Sequence, residues 1–353
     1  MTQMLNVSSP PVGSFERASR LFRRLQSMPS LREHYVTLHD AAFMPIGLNL
    51  YRSLIRHEPT AHLTVVCMDN ETHDVYQQLQ FPNLTAVSPD QWLDEKLRAI
   101  KATRNRREFC WTMASHSYDI AWEQNPDAER MTYLDADLFF FDSPSLLIQE
   151  LLQSEKQVLI TEHAYDPRYD QSKTSGIYCV QFVTFSKCAS SMQILRDWQN
   201  LCAEKCSEQQ DGQSFGDQMY LDTWPQDYAT VVHVSQLKNR MLAPWNVDHY
   251  TRSKPTQPIF FHFHSLRIVA ADRALAWEKY RIGTEGRKLY AAYLTELSEI
   301  IELLKGIGYV IRPLPPGGSM RLKISTTIRR LLNIQGQRTY MALPVIDRSL
   351  QQI

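Results

Sequence analysis

The chain has 353 residues, of which 43% are hydrophobic and 22% are charged, enough to bury a core as one large α/β domain or two smaller ones. Its 38 Lys and Arg residues balance its 38 Asp and Glu residues, which removes the global electrostatic argument for binding nucleic acid. The N-terminal segment lacks the apolar core of a signal peptide, and no run of about 18 uncharged apolar residues follows. We therefore expect a cytoplasmic protein.

Six cysteines are spread along the chain, and none of them form a Cys-x-x-Cys pair. Cys202 and Cys206 would share one face of a helix, but no two further ligands for a zinc site are obvious nearby. Because unpaired cysteines are so often simply buried, we expect ordinary reduced thiols at Cys67, Cys110, Cys179, Cys188, Cys202 and Cys206.

Strands and helices are predicted to alternate from Tyr35 onward, after an N-terminal extension over residues 1–30. The stretch HYVTLH predicts a first strand, and a helix follows it over MPIGLNLYRSLIRH. Two more strands are predicted over HLTVVCMD and PNLTAVS, with the helical stretch THDVYQQLQ between them. This alternation is typical of a mostly parallel sheet that is covered by helices on both faces.

The next predicted helix is REFCWTMASHSYDIAWEQ, which ends before Pro126 because proline disfavours helix at the residue preceding it. Strands are predicted over QVLITEH, GIYCVQFVTFS and IFFHFHS, and an amphipathic helix over SMQILRDWQNLCAEK. In open sheets of this kind ligands bind beyond the carboxyl ends of the strands. The residues to inspect are therefore Asp40, Asp69 and the segment 135–137.

The composition changes in the last segment, residues 313–353, which we predict to be a basic tail. From Arg312 to the end there are seven basic residues and one acid, Asp347. Within it, RLKISTTIRRLLNI favours a basic amphipathic helix. Two interpretations stand: a solvated helix packed on the domain of residues 31–312, or a peripheral contact with anionic lipid at the inner face of the membrane.

Two carboxylates, Asp135 and Asp137, stand one residue apart after an apolar strand and before a second apolar run. Like charges this close repel each other and lose solvation, so a folded chain needs a reason to keep them together. A divalent cation supplies one, and oxygen ligands suit Mg²⁺ or Mn²⁺. A phosphatase of the aspartyl-phosphate type also has such a pair, but it usually has a small or hydroxylic residue where this chain has Leu138.

Two later motifs carry polar side chains. In GDQMYLDTWP, Asp217 and Gln218 stand at a predicted helix start, where they could bind sugar hydroxyls or cap the helix. In FFHFHS, His262 and His264 would point to the same face of a strand, and neutral imidazole is a common metal ligand.

Taken together and in order, these motifs resemble glycosyltransferases of the GT-A fold, related to the glycogenin and lipooligosaccharide galactosyltransferase families. The resemblance covers residues 35–280 and runs through VTLHDAAFMPIGLNLYRSLIRH, LTVVCMD, TYLDADLFFF, SGIYCVQFVTF, FGDQMYLDTWP, LAPWN and FFHFHS. It implies a Rossmann-like, mixed and mostly parallel sheet flanked by helices, here with a basic helical C-terminal extension.

The resemblance also implies a metal site. Asp135 and Asp137 match the family's Asp-x-Asp ligands of Mn²⁺ or Mg²⁺, and His262 matches its late histidine ligand, with His264 as the alternative. Ser265 stands where the family often has glycine, and the Lys-Pro-Trp that commonly follows is absent.

Contacts with the donor sugar are implied for Asp217 and Gln218, the latter beneath the anomeric carbon in retaining members. Gly176 matches the start of a strand that usually carries Asn-Ala-Gly near the sugar, which places Cys179 at the asparagine position.

The nucleotide base and ribose are expected near Thr37, Asp40 and Asp69, at the ends of the first two strands. The resemblance thus implies a metal-dependent transferase that moves a hexose from a nucleotide-diphosphate sugar, UDP-linked by default, to a glycan or lipid-linked acceptor in surface polysaccharide biosynthesis. Retention of configuration is favoured, because no carboxylate stands out as the general base of an inverting enzyme. The alternative is a non-catalytic relative that binds glycan or nucleotide as an assembly partner.

Overall fold

The computed structural model describes residues 32–209, 214–270, 272–314 and 338–344. Within them lie thirteen strands: β1 (His34–His39), β2 (His62–Cys67), β3 (Leu84–Val87), β4 (Arg130–Leu134), β5 (Leu138–Phe140), β6 (Val158–Glu162), β7 (Tyr178–Ser186), β8 (Val232–Val234), β9 (Met241–Leu242), β10 (Phe260–His262), β11 (Arg267–Ala270), β12 (Arg273–Glu278) and β13 (Arg338–Ala342).

The same residues form eleven α-helices: α1 (Met44–His57), α2 (Asn70–Leu79), α3 (Pro89–Trp92), α4 (Glu95–Ala102), α5 (Arg106–Gln124), α6 (Ser145–Gln153), α7 (Ser172–Ser175), α8 (Ala189–Glu204), α9 (Trp224–Asp227), α10 (Val247–Thr251) and α11 (Thr284–Gly306). Four short 3₁₀ helices span Ala41–Phe43, Pro167–Tyr169, Met219–Thr223 and Lys238–Arg240. No helix among the described residues is both long and apolar enough to cross a membrane.

A seven-stranded sheet in the order β3-β2-β1-β4-β7-β6-β8 forms the centre of the fold. Strand β7 runs antiparallel to both of its neighbours, and every other pair in the sheet is parallel. The predicted mixed, mostly parallel sheet flanked by helices is therefore confirmed. Because β1, β2 and β4 run in the same direction, the residues that follow them meet at one edge of the sheet.

Both faces of the sheet are buried, as the side chains of β1 illustrate. Val36 packs into a hydrophobic cluster with α5 and α8, whereas its neighbour Tyr35 packs into a second cluster with α1 and α6. Successive side chains of a strand point to opposite faces, so helices on both sides are needed to cover this strand.

Two smaller sheets extend the fold, one in the order β5-β10-β9 and one in the order β11-β12-β13. Helix α11, which the sequence analysis did not predict, packs Tyr290 and Tyr293 against Phe261 and Phe263 in a third cluster. Strand β13 lies within the predicted tail and pairs with β12. This pairing was also not predicted from the sequence. The predicted basic helix over residues 321–334 and the N-terminal extension lie outside the described residues.

Candidate active site

The acidic pair occupies a tight turn between two buried strands. Strand β4 ends at Leu134, and the amide of Leu138 donates to the carbonyl of Asp135 at 3.1 Å, which closes the turn into β5. The amide of Asp135 donates to the carbonyl of Gln181 on β7 at 3.1 Å. The backbone is thus held on both sides, which leaves the carboxylates of Asp135 and Asp137 partly exposed at the edge of the sheet.

Strand β10 brings His262 to this turn from more than one hundred residues away. In the antiparallel pairing of β10 with β5, His262 lies opposite Leu138, and the amide of Phe263 donates to the carbonyl of Asp137 at 2.9 Å. The Nε2 atom of His262 consequently lies 3.0 Å from Oδ1 of Asp137 and 3.7 Å from Oδ2 of Asp135. The structure brings these three predicted ligands together.

The charges of this group depend on one another. Burial raises the pKa of Asp135, although the attraction of His262 opposes it. Burial also tends to raise the pKa of Asp137, but the charge and hydrogen bond of His262 outweigh it and lower that pKa. Burial alone would lower the pKa of His262, yet the two aspartates raise it well above its ordinary value. The two carboxylates therefore attract positive charge to the position between them, which is the environment that a divalent cation requires.

Gln181, which the sequence analysis missed, fixes the orientation of His262. Its buried Oε1 atom lies 2.7 Å from Nδ1 of His262 and accepts a hydrogen bond from the N–H group there. With Nδ1 protonated, Nε2 faces the aspartates and can offer a lone pair to a cation. Gln181 lies within the predicted strand GIYCVQFVTFS, but a polar residue in a buried strand indicates only that it has a partner, not which one.

Cys179 is two residues before Gln181 on β7 and belongs to the same group. One carboxylate oxygen of Asp135, the sulfur of Cys179 and one ring nitrogen of His262 all lie within 4.8 Å of one another. Asp137 is not a member of that group within the described part of the chain, although it contacts His262. The donor set of oxygen, nitrogen and sulfur fits a divalent cation.

Trp245 forms the wall beside this group, within the predicted motif LAPWN. Its ring centroid lies 5.4 Å from that of His262 and 5.5 Å from that of His264, and its indole N–H donates to the carbonyl of His163 at 2.7 Å. Both histidines contact Trp245, but β10 ends at His262, so His264 does not belong to the strand on which it was predicted. His264 is exposed, whereas His262 is buried and contacts both aspartates, so the geometry favours His262 as the ligand.

Asp217 and Gln218 precede the 3₁₀ helix Met219–Thr223, but neither side chain caps it. Asp217 is buried, and burial together with the nearby Cys206 and Asp135 raises its pKa well above its ordinary value. Gln218 is half-buried, and its amide donates to the carbonyl of Ser175. Of the two, Gln218 is the side chain that a sugar could reach.

Gly176 connects this segment to the start of β7. Its backbone has a φ of 92°, a conformation that favours glycine, and a Cβ atom there would lie 3.3 Å from Oδ1 of Asp222. The same Oδ1 atom accepts from the amide of Ile177 at 2.8 Å. Asp222, for which no role was predicted, thus ties the Asp217–Asp222 segment to the strand that carries Cys179 and Gln181.

The residues expected near the nucleotide lie at the ends of β1 and β2. Asp40 accepts from the amide of Ala42 at 3.1 Å and forms an ion pair with Arg106, while Asp69 accepts from the amide of Ala41 at 3.0 Å. Both carboxylates thus shape the loop after β1. Thr37 is fully buried, and its hydroxyl has no hydrogen-bond partner among the described residues.

Comparison with known sequences finds no matching protein-family model. The chain is similar to two uncharacterized proteins of Bacillus subtilis (strain 168). It is 26% identical to YfnD over 76% of this chain and 90% of that protein, and 29% identical to YfnF over 67% of this chain and 83% of that protein.

Several solved structures are also similar. The glycosyltransferase GlyE of Streptococcus pneumoniae TIGR4 aligns at 14% identity and a TM-score of 0.47, over 81% of this chain and 66% of that one. The galactosyltransferase LgtC, solved with donor and acceptor sugar analogues, aligns at 12% identity and a TM-score of 0.45, over 76% and 95%. Mouse xyloside xylosyltransferase 1 aligns at 13% identity and a TM-score of 0.44, over 66% and 98%. Each TM-score is below 0.5, so the function has to follow from the site itself.

Proposed function

We propose that this chain is a metal-dependent glycosyltransferase that moves a hexose from a nucleotide-diphosphate sugar to a glycan or lipid-linked acceptor. The observation that carries the proposal is the convergence of Asp135, Asp137 and His262 at the carboxyl edge of a mostly parallel sheet. A divalent cation held there, expected to be Mn²⁺ or Mg²⁺, would stabilise negative charge as a Lewis acid without any proton transfer.

Residues of this chain around the metal group would stabilise the transition state of sugar transfer more than the bound substrate. During transfer the bond from the anomeric carbon to the diphosphate oxygen breaks, a bond to the acceptor oxygen forms, and the acceptor proton passes to the departing diphosphate. Fixed donors and charges stabilise this change because they need no reorganisation as it occurs. Gln181 holds His262, and Trp245 shields one side of the group from water.

Retention of configuration is supported by the neighbourhood of Gln218. An amide side chain cannot act as a general base, and its neighbour Asp217 is buried. Amide oxygens can nevertheless stabilise the oxocarbenium-like carbon of the transition state. We propose that Gln218 does so, with Gly176 allowing the sugar to approach the start of β7.

The test is a transfer assay with UDP-hexoses, Mn²⁺ and candidate glycan acceptors, preceded by a thermal-shift screen of nucleoside diphosphates with and without Mn²⁺. Asp137→Asn should reduce cation-dependent turnover by roughly 100-fold or more, as the loss of one strong transition-state contact commonly does. The matched control is Asp197→Asn on the exposed side of α8, which should leave turnover unchanged.

Three results would count against the proposal. Unchanged turnover in the Asp137→Asn variant would show that Asp137 does not hold a catalytic cation. Nucleotide binding without hydrolysis or transfer for any donor would favour the non-catalytic relative. Transfer from a donor other than a nucleotide sugar would show that the proposed substrate class is wrong.

The proposed peripheral contact with the inner face of the membrane rests on the basic residues of the tail. Deleting the tail would also remove β13, which pairs with β12, so charge replacement is the sharper perturbation. Replacing Arg321, Lys323, Arg329 and Arg330 with Gln should weaken binding to anionic vesicles, since each basic residue contributes about 1 kcal/mol near such a surface. Unchanged binding to these vesicles would refute the contact.

A further inference from the structure

Cys179 is placed differently from an ordinary buried cysteine. Successive residues of a strand alternate faces, so Cys179 and Gln181 on β7 point to the same side, towards His262. The sulfur of Cys179 lies within 4.8 Å of a ring nitrogen of His262. By comparison, Cys67 is buried in an apolar cluster and its sulfur contacts the backbone carbonyl of Val65.

The distances between the donor atoms suit a shared cation. The oxygen of Asp135, the sulfur of Cys179 and the nitrogen of His262 lie within 4.8 Å of one another. Metal–ligand bonds of about 2.0–2.3 Å in a tetrahedral arrangement place ligand atoms roughly 3.3–3.8 Å apart. A contraction of at most about 1.5 Å between side-chain atoms would therefore complete the group.

A sulfur ligand affects which cations the site binds most tightly. Thiolate ligands select borderline and soft cations, whereas Mg²⁺ prefers oxygen ligands and keeps its water. Binding would convert the Cys179 thiol to a sulfur–metal bond and release one proton to solvent. Sites with nitrogen, oxygen or sulfur ligands all bind Co²⁺ more tightly than Mn²⁺, so the sulfur has to be detected by a property of the sulfur–metal bond itself.

Resting on the proposed function, we infer that Cys179 supplies a sulfur ligand to the cation held by Asp135 and His262. The site should then bind Co²⁺ and Zn²⁺ more tightly than Mn²⁺, and Mg²⁺ most weakly. The sulfur distinguishes this site from the one that Asp135, Asp137 and His262 would form without it.

Cobalt is the probe, because a sulfur–Co²⁺ bond produces charge-transfer absorption in the near ultraviolet. The full chain is freed of metal with a chelator and titrated with Co²⁺. The wild type should develop this absorption at one Co²⁺ per chain, and Cys179→Ser should lose it and bind Co²⁺ roughly ten- to hundredfold more weakly. Cys188→Ser, just beyond the other end of β7, is the matched control and should behave like the wild type.

Two further variants make the result decisive. Asp135→Asn should also abolish the absorption, which would locate the sulfur at this site rather than at Cys202 and Cys206. Cys179→Ala serves if the serine variant does not fold, as judged by circular dichroism. Undiminished absorption in a folded Cys179 variant would overturn the inference.

The inference and the proposed function can fail separately. If Mn²⁺ binds and supports sugar transfer but Co²⁺ binds without the sulfur absorption, the inference is wrong and the transferase proposal stands. If no divalent cation binds the wild type, both are wrong.

Discussion

The hydrogen bond from His262 to Gln181 offers a direct test of how the site is built. Gln181→Met removes the acceptor at Nδ1 and keeps a side chain of similar length in a buried position. A hydrogen bond to a charged group contributes about 1.5–3 kcal/mol, which corresponds to roughly a 10- to 100-fold change in an equilibrium constant. That range agrees with the losses of metal affinity, roughly 10- to 100-fold, that follow when the partner of a ligating histidine is removed.

We therefore expect Gln181→Met to weaken Mn²⁺ binding roughly 10- to 100-fold, measured by isothermal titration calorimetry. The matched control is Gln199→Met, since Gln199 is also buried but donates to Asp119 at 2.8 Å, and it does not contact the metal group. Unchanged Mn²⁺ affinity in a folded Gln181→Met would refute the reasoning, and so would an equal loss in Gln199→Met.

Three further predictions concern stability. Burial raises the pKa of Asp217 in the folded chain, so the folded chain holds this proton more tightly than the unfolded chain does. The protonated carboxyl group therefore contributes stability at low pH, and this contribution is lost as pH rises above about 4 towards the folded pKa. Asp217→Asn should accordingly raise Tm by more than about 2 °C at pH 8 and have no effect near pH 3; equal shifts at both would contradict this. Asp222→Ala should lower the free energy of unfolding, measured in urea, by about 1–3 kcal/mol, because it leaves two backbone amides without their acceptor. A change of less than about 0.5 kcal/mol, as for an ordinary surface substitution, would contradict this prediction. Gly47→Ala should lower the same free energy by about 1–3 kcal/mol, because its Cβ would lie 2.3 Å from Nε2 of His39, whereas Gly306→Ala meets nothing within 4 Å and should not destabilise the chain.

Much of the sheet was predictable because its strands are strongly apolar. The segments HYVTLH, HLTVVCMD and PNLTAVS are read from their β-branched and apolar residues alone, and the structure has a strand in each. The short strands β8 and β9 have only three and two residues, which is too few for an alternation of apolar and polar residues to indicate a strand. Helix α11 packs its apolar side against Phe261 and Phe263, and its place in the fold depends on that tertiary contact.

For the site, the pair Asp135 and Asp137 could be predicted from the sequence, since two carboxylates one residue apart after a buried strand have an energetic cost that calls for a cation. It also indicated His262, through a motif late in the chain. The pairing of β10 with β5 became visible only in the folded chain, where it sets His262 at 3.0 Å from Asp137 and leaves His264 exposed. The positions of Cys179 and Gln181 beside His262 likewise follow from β7 lying beside β4, because pairing between distant strands is set by packing and not by local pattern.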